Sequence, residues 1–268
     1  MYKRQVYKVQ KSLAPVPENG SVPTDNFDKF QYMLFHPCVV YADVETCFEV
    51  DEHNTQRGPK TILLGQNAYV LSVGYTAVGR DGLEIPVEHD ACIHNGIDPM
   101  GKFLISMLRL YNSYYKVTQN GKKVTMTAAN KIEFNGASKC YLCGCNFDVD
   151  NTKVLEHCHL SGNFRGAACG TCNRKAKLPH NIIIFFHNGG GFDFHFVIRA
   201  ISALQGGPLG DMTVHELCTG EIVEEMKLKV RDMRINVVSK SSEKYMEIRF
   251  GPLVFRDSIL FVKAGLEK

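Results

Sequence analysis

The stretch that decides the fold is Lys139–Val197, which reads KCYLCGCNFDVDNTKVLEHCHLSGNFRGAACGTCNRKAKLPHNIIIFFHNGGGFDFHFV. Its first half contains two Cys-x2-Cys pairs, and a tetrahedral site of four thiolates can fold a short segment that has no core of its own. The chain has ten cysteines and no recognisable export signal, a combination that favours metal over disulfides. We therefore predict a structural Zn²⁺ ion, with Cys145 and Cys158 as alternative ligands to a set consisting of Cys140, Cys143, Cys169 and Cys172.

The second half of this stretch predicts a buried strand that ends in a glycine-rich turn. The strand, Leu178–Phe186, is followed by His-Asn-Gly-Gly-Gly-Phe-Asp, and apolar residues at helical spacing begin at Phe192. The glycines allow the backbone to turn tightly and to approach a ligand closely. Asp193 is therefore expected near a helix start, where an acid either caps the helix or binds a ligand.

Two further acids lie far upstream, in the predicted strand Cys38–Thr46. Asp43 and Glu45 are two residues apart, so their side chains share one face of the strand. Neighbouring acids are costly unless a cation neutralises them, and a divalent ion with oxygen ligands is the usual one. The alternative is a pair of solvated acids on an exposed sheet face.

The rest of the chain has the pattern of a mixed α/β domain. Residues 117–138 are polar and Lys-rich and lead into the cysteine segment. The net charge of +3 neither requires nor excludes a nucleic-acid partner. No apolar run approaches the roughly 20 residues of a membrane helix, so we expect no membrane partner. We predict a helix at Met100–Lys116 and further strands at Ala68–Val78, Glu84–Cys92, Lys227–Val238, Tyr245–Phe250 and Leu253–Phe255.

The residues between the two cysteine pairs have a specific order. Glu156-His-Cys-His159 and Arg165-Gly166 lie between the pairs, and Asn173 follows the last cysteine. This order resembles the recombination endonuclease VII branch of the His-Me finger nucleases. The resemblance implies a ββα finger in which Glu156 and Asn173 bind a divalent cation, His157 is the general base and His159 is the second histidine. Glu in place of Asp at position 156 lengthens the ligand by one methylene, and a zinc-stabilised DNA-contacting finger without chemistry is the alternative.

Two distant motifs, Tyr41-Ala-Asp-Val-Glu-Thr46 and His187-Asn-Gly-Gly-Gly-Phe-Asp193, together resemble the first two exonuclease motifs of family-B DNA polymerases. The form of the second motif is closest to the protein-primed group, which includes viral, linear-plasmid and Polinton-type polymerases. The resemblance implies that Asp43, Glu45 and Asp193 hold Mg²⁺ or Mn²⁺ for two-metal hydrolysis. Ser258-Ile-Leu-Phe-Val262 resembles a Ser-Leu-x2-hydrophobic element of that group, although Asp257 and Ser258 could equally start a helix. The residues implied to contact a single-stranded 3′ end are Thr46, His187, Asn188, Phe192, Phe196 and Ser258, with core packing as the alternative for Phe196.

The resemblances imply an α/β fold: an RNase H-like 3′–5′ exonuclease domain, with a mixed sheet and flanking helices, that carries a small zinc-bound ββα finger insertion. We expect a flexible N-terminal segment at 1–35, the two halves of the exonuclease domain at 36–135 and 178–268, and the finger at 136–177. No third exonuclease motif, Tyr-x3-Asp, and no polymerase palm signature follows Asp193. The third motif's carboxylate is therefore expected downstream of residue 268, and the chain is expected to be a weakly active or inactive fragment.

These expectations favour a fragment of a protein-primed family-B DNA-directed DNA polymerase that contains its proofreading motifs. The alternatives are a His-Me finger DNA endonuclease and a non-catalytic zinc DNA-binding module of a mobile element. The expected partners are single-stranded and primer–template DNA and a terminal priming protein. The expected location is intracellular, in a nucleus, an organelle or a viral replication site.

Overall fold

The computed structural model describes residues 34–48, 68–80, 82–220, 229–241 and 244–262, so the predicted N-terminal segment lies outside the described residues except for its last two positions. The strands in these ranges are β1 (Cys38–Phe48), β2 (Ala68–Gly79), β3 (Cys92–Asn95), β4 (Lys153–His157), β5 (Phe164–Cys169), β6 (Ile182–Phe186), β7 (Ile235–Ser239), β8 (Tyr245–Phe250) and β9 (Leu253–Asp257). The α-helices are α1 (Pro99–Gln119), α2 (Ala128–Gly136), α3 (Gly170–Lys175), α4 (Asp193–Gly206) and α5 (Val214–Thr219).

A seven-stranded mixed sheet forms the centre of the molecule, in the order β3-β2-β1-β6-β9-β8-β7. β1 pairs antiparallel with β2 and parallel with β6, and β6 pairs parallel with β9. Because β1, β6 and β9 run in the same direction, their carboxyl ends meet at one edge of the sheet, which is where open α/β sheets bind ligands. The large mixed sheet with helices packed on it confirms the predicted α/β class.

Helices α1 and α4 share one buried core with the sheet. The Asp98 side chain caps the start of α1, and the apolar residues of α1 recur at three- and four-residue spacing on its buried face. Phe103 of α1 and Phe194 of α4 both meet the ring of Phe186 edge-on, at centroid distances of 6.0 and 5.8 Å. The start of α4 is therefore held against the end of β6. None of the helices in the described ranges has the length and apolar character needed to cross a bilayer.

Prolines shift the bounds of two predicted strands. The prediction of a strand at Glu84–Cys92 is wrong, because Pro86 is followed by a 3-10 turn at Val87–His89 and β3 begins only at Cys92. Proline lacks the N–H that a sheet ladder needs, so it is rarely accommodated inside a strand. The predicted strand Leu178–Phe186 likewise begins only at Ile182, beyond Pro179.

The predicted strand Lys227–Val238 is also shorter in the structure. Its first two residues lie outside the described residues, and β7 begins only at Ile235. Before β7 the chain forms a 3-10 turn at Val230–Asp232. The Gln205 side-chain amide donates to the carbonyl oxygens of Val230, Arg231 and Met233 at 2.9–3.1 Å, which satisfies backbone groups that would otherwise pair in a sheet. The predicted hairpin of β8 and β9 around Gly251 is confirmed.

The finger consists of the antiparallel pair β4–β5 followed by α3, with α2 packed beside it. Helix α2 occupies part of the Lys-rich stretch for which the sequence predicts no element. Its local signal is the capping box formed by Thr127 and Asn130. At its other end, the Lys153 ammonium donates to the carbonyl oxygens of Phe134 and Ala137 at 2.8 and 3.0 Å. The hairpin thus holds the last turn of α2 through one lysine.

Candidate functional site

Four cysteine side chains come together beside β5 and α3. Their sulfur atoms all lie within 4.8 Å of one another, and the set is the predicted one, Cys140, Cys143, Cys169 and Cys172. Cys145 is exposed and lies outside this set, and Cys158 belongs to the core of the main sheet. The four thiols could hold a tetrahedral zinc ion.

The surroundings of Cys140 favour its thiolate form. Burial alone acts to raise the pKa of this thiol, but backbone hydrogen bonds from Cys143, Cys169 and Leu142 outweigh burial and lower the pKa to about 7. The thiolate is the form that binds metal, so a lowered pKa at neutral pH suits a zinc ligand.

Glu156 is enclosed by the finger itself. It is 2% exposed, and its two carboxylate oxygens accept hydrogen bonds from Arg165 Nη2 at 2.6 Å and Arg165 Nε at 2.9 Å. The Tyr141 hydroxyl donates to the same carboxylate at 2.7 Å. Since Tyr141 directly follows Cys140 of the cysteine cluster, this network connects the cluster to the hairpin. Glu156 therefore has a complete set of protein partners within the finger.

The two finger histidines have different surroundings. Their rings stack with centroids 4.9 Å apart, but His157 Nε2 lies 3.2 Å from the carbonyl oxygen of Lys122. His159 instead lines a cavity of about 310 Å³ that Asn173 also lines. Burial and the nearby charges of His157 and Arg165 lower the pKa of His159, so its imidazole is neutral at neutral pH and able to accept a proton. The cationic or titratable side chains that share this cavity are Arg165, Arg174, Lys177 and His180.

The predicted acids gather at the carboxyl edge of the sheet. Asp43 and Glu45 are exposed on β1, whereas Asp193, the first residue of α4, is 9% exposed. Burial, followed by the charges of Asp43, Asp257 and Glu45, raises the pKa of Asp193 from 3.8 to about 7. The carboxylates are thus near enough to act on one another, although they do not form a set as tight as the four sulfur atoms within 4.8 Å.

Asp257 is a member of this acidic group that sequence reasoning missed. It is the last residue of β9 and is 5% exposed. The sequence at Asp257 indicated only a helix start, and its Oδ1 does accept the N–H of Ile259 at 3.0 Å. The signal that could have identified it is topological: a strand parallel to β1 and β6 must end at the same edge of the sheet.

The residues predicted to bind single-stranded DNA are divided between the surface and the core. His187 Nδ1 and Ser258 Oγ, predicted from separate motifs, lie 2.9 Å apart and line, with Asp43, a cavity of about 470 Å³. Asn188 is exposed in a left-handed conformation with φ 58°. Thr46 lies at the irregularity in the β1–β2 register, where the strand shifts between Glu45 and Thr46.

The two predicted aromatic contacts pack on each other. Phe196 is 7% exposed and meets the half-buried ring of Phe192 edge-on with centroids 5.1 Å apart. This position favours core packing for Phe196. Two aromatic rings that were not among the predicted DNA contacts, Tyr41 and Phe185, stack with centroids 6.0 Å apart along the wall of the 470 Å³ cavity.

The glycine turn after β6 makes a close backbone approach. A Cβ added to Gly190 would lie 2.2 Å from the carbonyl oxygen of Tyr245 on β8 and 2.9 Å from Asp257 Oδ2. The Gly190 N–H donates to that same Oδ2 at 3.1 Å. Only glycine fits at position 190, because its backbone contacts strands β8 and β9 directly. These contacts hold the turn that leads into Asp193.

Residues 109–184 match the family model of recombination endonuclease VII. The matched range contains the four cysteines, the hairpin with its histidines, and Asn173. It indicates a nuclease or DNA-binding role for this segment. The comparison with curated proteins found no match. The comparison with solved structures also found none. These comparisons add no support to the polymerase resemblance.

Proposed function

We propose that the chain is a DNA-acting nuclease whose finger is an endonuclease VII-like module that zinc stabilises. The observation that carries this proposal is the family match at 109–184, because it coincides with the segment in which four cysteines meet. The finger then serves as the DNA-binding element, and its zinc ion is structural, since all four predicted ligands are cysteines.

The cavity shared by His159 and Asn173 is the proposed cleavage site. A neutral His159 takes a proton from water, the water oxygen attacks phosphorus, and the bond from phosphorus to the leaving oxygen breaks as that oxygen takes a proton from solvent water. Arg174 and Lys177 supply positive charge for the phosphate. A divalent cation such as Mg²⁺ or Mn²⁺, held by the Asn173 amide oxygen, would neutralise charge on the phosphate. Glu156 is assigned to the Arg165 ion pair instead of to the cation.

Cleavage of supercoiled and branched DNA in Mg²⁺ or Mn²⁺ tests this assignment. His159→Ala should lower the rate by roughly 10²–10⁴-fold, as expected for loss of a general base, while its zinc content stays at the wild-type level. His157→Ala is the matched comparison and should have the smaller effect, because His157 faces the Lys122 carbonyl. Wild-type cleavage rates in the His159→Ala variant would show that the finger is not the cleavage site. The finger would then be a DNA-binding module only.

A second candidate function is supported by the positions of Asp43 and Glu45 on β1 and of Asp193 at the start of α4, close after the end of the neighbouring strand β6. We propose that these acids form a 3′–5′ exonuclease site in an RNase H-like sheet, and that β1, between an antiparallel and a parallel neighbour, carries two of the metal ligands. Carboxylate oxygens suit Mg²⁺ and Mn²⁺, so these residues fit the two-metal chemistry that the motif resemblance implies. The stacked Tyr41 and Phe185 offer flat rings beside the acids on which unpaired bases can stack.

Trimming of a 3′-labelled single strand separates the two sites. Asp43→Ala should abolish trimming and leave endonuclease cutting intact, and His159→Ala should do the reverse. The protein-primed polymerase parent, with its primer–template DNA and terminal priming protein, is a further hypothesis carried by motif resemblance alone. The reading frame beyond Lys268 tests this hypothesis, because a protein-primed polymerase requires a Tyr-x3-Asp motif and a palm signature there.

A further inference from the structure

A polar cavity of about 470 Å³ lies between α1, α5 and β3, and it shares no lining residue with the two cavities described above. We call it the α1–α5 cavity. One side of α1 supplies four of its lining residues, Arg109, Asn112, Ser113 and Lys116. Their three- and four-residue spacing places these side chains next to one another on the helix. Helix α5 and strand β3 supply others, among them Cys218 and His94. Polar side chains from three elements therefore converge on one space.

Two cations of this cavity have no acidic partner. Arg109 and Lys116 are both exposed, and neither forms an ion pair with a described residue. Burial raises the pKa of the Cys218 thiol to about 11, and the positive charges of Arg109 and Lys116 act against that rise. Both charges therefore act at one place, on the α5 side of the cavity. Glu88 is the acid among the described residues that line the cavity, so the two cations outnumber it.

Asn112 is a buried polar residue on the same side of α1. It is 8% exposed, and its side-chain amide makes no hydrogen bond to any described residue. The amide is not among the described side-chain groups that are sealed from solvent without a partner, so its atoms reach the open space of the cavity. Its two donor hydrogens and its acceptor oxygen are therefore available to a molecule that enters there.

Two histidines of the cavity wall contribute hydrogen bonds instead of charge. His89 Nδ1 lies 3.0 Å from the Tyr75 hydroxyl, and His94 Nε2 lies 3.0 Å from Ser106 Oγ. Burial is the main cause that lowers the pKa of both imidazoles, so both rings are neutral at pH 7. The second nitrogen of each ring remains as a neutral hydrogen-bonding group.

We propose that the α1–α5 cavity binds a phosphate monoester of about the size of a nucleotide, with Arg109 and Lys116 on the phosphate and Asn112 on the organic part. A phosphate monoester carries roughly −1.5 to −2 charges at pH 7 and three acceptor oxygens, so it matches two neighbouring cations better than a carboxylate does. A guanidinium also binds phosphate through two parallel hydrogen bonds. The volume of about 470 Å³ lies in the range of roughly 300–1,000 Å³ found for small-molecule sites, which leaves room beyond the phosphate. This inference depends on neither nuclease site.

Isothermal titration calorimetry of the full chain with a deoxynucleoside monophosphate, ribose 5-phosphate and inorganic phosphate tests the proposal. At least one monoester should bind more tightly than inorganic phosphate, and the arm that does so identifies the organic part. Arg109→Gln and Lys116→Gln should each weaken monoester binding at least tenfold. Lys102→Gln is the matched control and should bind like the wild type. Lys102 is also an exposed cation of α1, but it lies outside the cavity, where its ammonium donates to the Asn95 carbonyl at 2.9 Å.

Alkylation of Cys218 by N-ethylmaleimide locates the binding, since the finger cavity also contains cations. A bound monoester should slow the alkylation of Cys218, measured on its peptide by mass spectrometry, and leave that of Cys47 unchanged. Both thiols are partly exposed, and Cys47 lies outside the α1–α5 cavity. Monoester binding that survives both Arg109→Gln and Lys116→Gln, or that leaves Cys218 alkylation unchanged, would overturn the proposal. Equal affinity for the monoesters and inorganic phosphate, or no binding of any of them, would overturn it as well.

Discussion

Replacing Asp193 by Asn is expected to stabilise the protein when Mg²⁺ and Mn²⁺ are absent. The folded state raises the pKa of Asp193 from 3.8 to about 7, so the native state holds this proton more tightly than the unfolded state does. The free energy of unfolding therefore decreases as pH rises from the unfolded to the folded pKa. At 1.36 kcal/mol per pKa unit the full effect is on the order of 4 kcal/mol. Asn carries no charge to titrate, so the variant avoids this loss.

Urea denaturation of zinc-loaded protein, followed by circular dichroism, measures the effect. At about pH 8 the Asp193→Asn variant should be more stable than the wild type by on the order of 4 kcal/mol, and this advantage should shrink by about 2 kcal/mol at about pH 5.5. Asp211→Asn, the exposed control, should change stability by less than about 0.5 kcal/mol. Adding Mg²⁺ should stabilise the wild type and not the variant. A variant no more stable than wild type at the higher pH would refute the claim that Asp193 is a buried, charge-strained carboxylate.

Three other substitutions probe the finger and the glycine turn. Cys140→Ser should release zinc and unfold the finger, because the buried core of the finger is small, while the main sheet stays folded. Zinc content measures the loss of the ion, and amide hydrogen exchange shows which segment has unfolded. Arg165→Ala should cost about 3–5 kcal/mol in urea denaturation, since it leaves Glu156 buried without its cation, and adding Glu156→Gln should restore part of the loss. Gly190→Ala should cost about 1–3 kcal/mol through crowding, whereas Gly191→Ala, where a Cβ meets nothing within 4 Å, should be nearly neutral in thermal unfolding.

Local patterns in the sequence were sufficient where one short stretch determines the structure. The two Cys-x2-Cys pairs predicted the sulfur cluster, and the apolar spacing after Met100 predicted α1. The predicted strands Glu84–Cys92 and Leu178–Phe186 include Pro86 and Pro179, whereas β3 begins only at Cys92 and β6 only at Ile182. Helix α2 was missed because its residues are all at least partly exposed, so no apolar stripe marks it, and only its Thr127–Asn130 capping box shows in sequence.

Contacts between distant segments were the part that local patterns could not provide. In the sequence, Asp257 indicates only a helix start. Its burial beside Asp193 follows from the parallel pairing of β9 with β6, which no local pattern shows. The contacts of Glu156 likewise depend on Arg165 and Tyr141, which are 9 and 15 residues away in the chain and both donate to its carboxylate. Sequence resemblance implied a metal ligand at Glu156, and only the structure shows that this carboxylate also pairs with Arg165.

The finger lies in the chain between two strands that pair with each other, since Val39 of β1 is the register partner of Ile183 of β6. That pairing has to close a very long loop, and loop-closure entropy opposes it. A finger that folds first, around its metal, shortens the effective loop, with Lys122 N–H bonded to the His159 carbonyl and Thr125 N–H to the Gly162 carbonyl. We therefore expect zinc, if the four cysteines bind it, to speed assembly of the central sheet as well as to stabilise the finger.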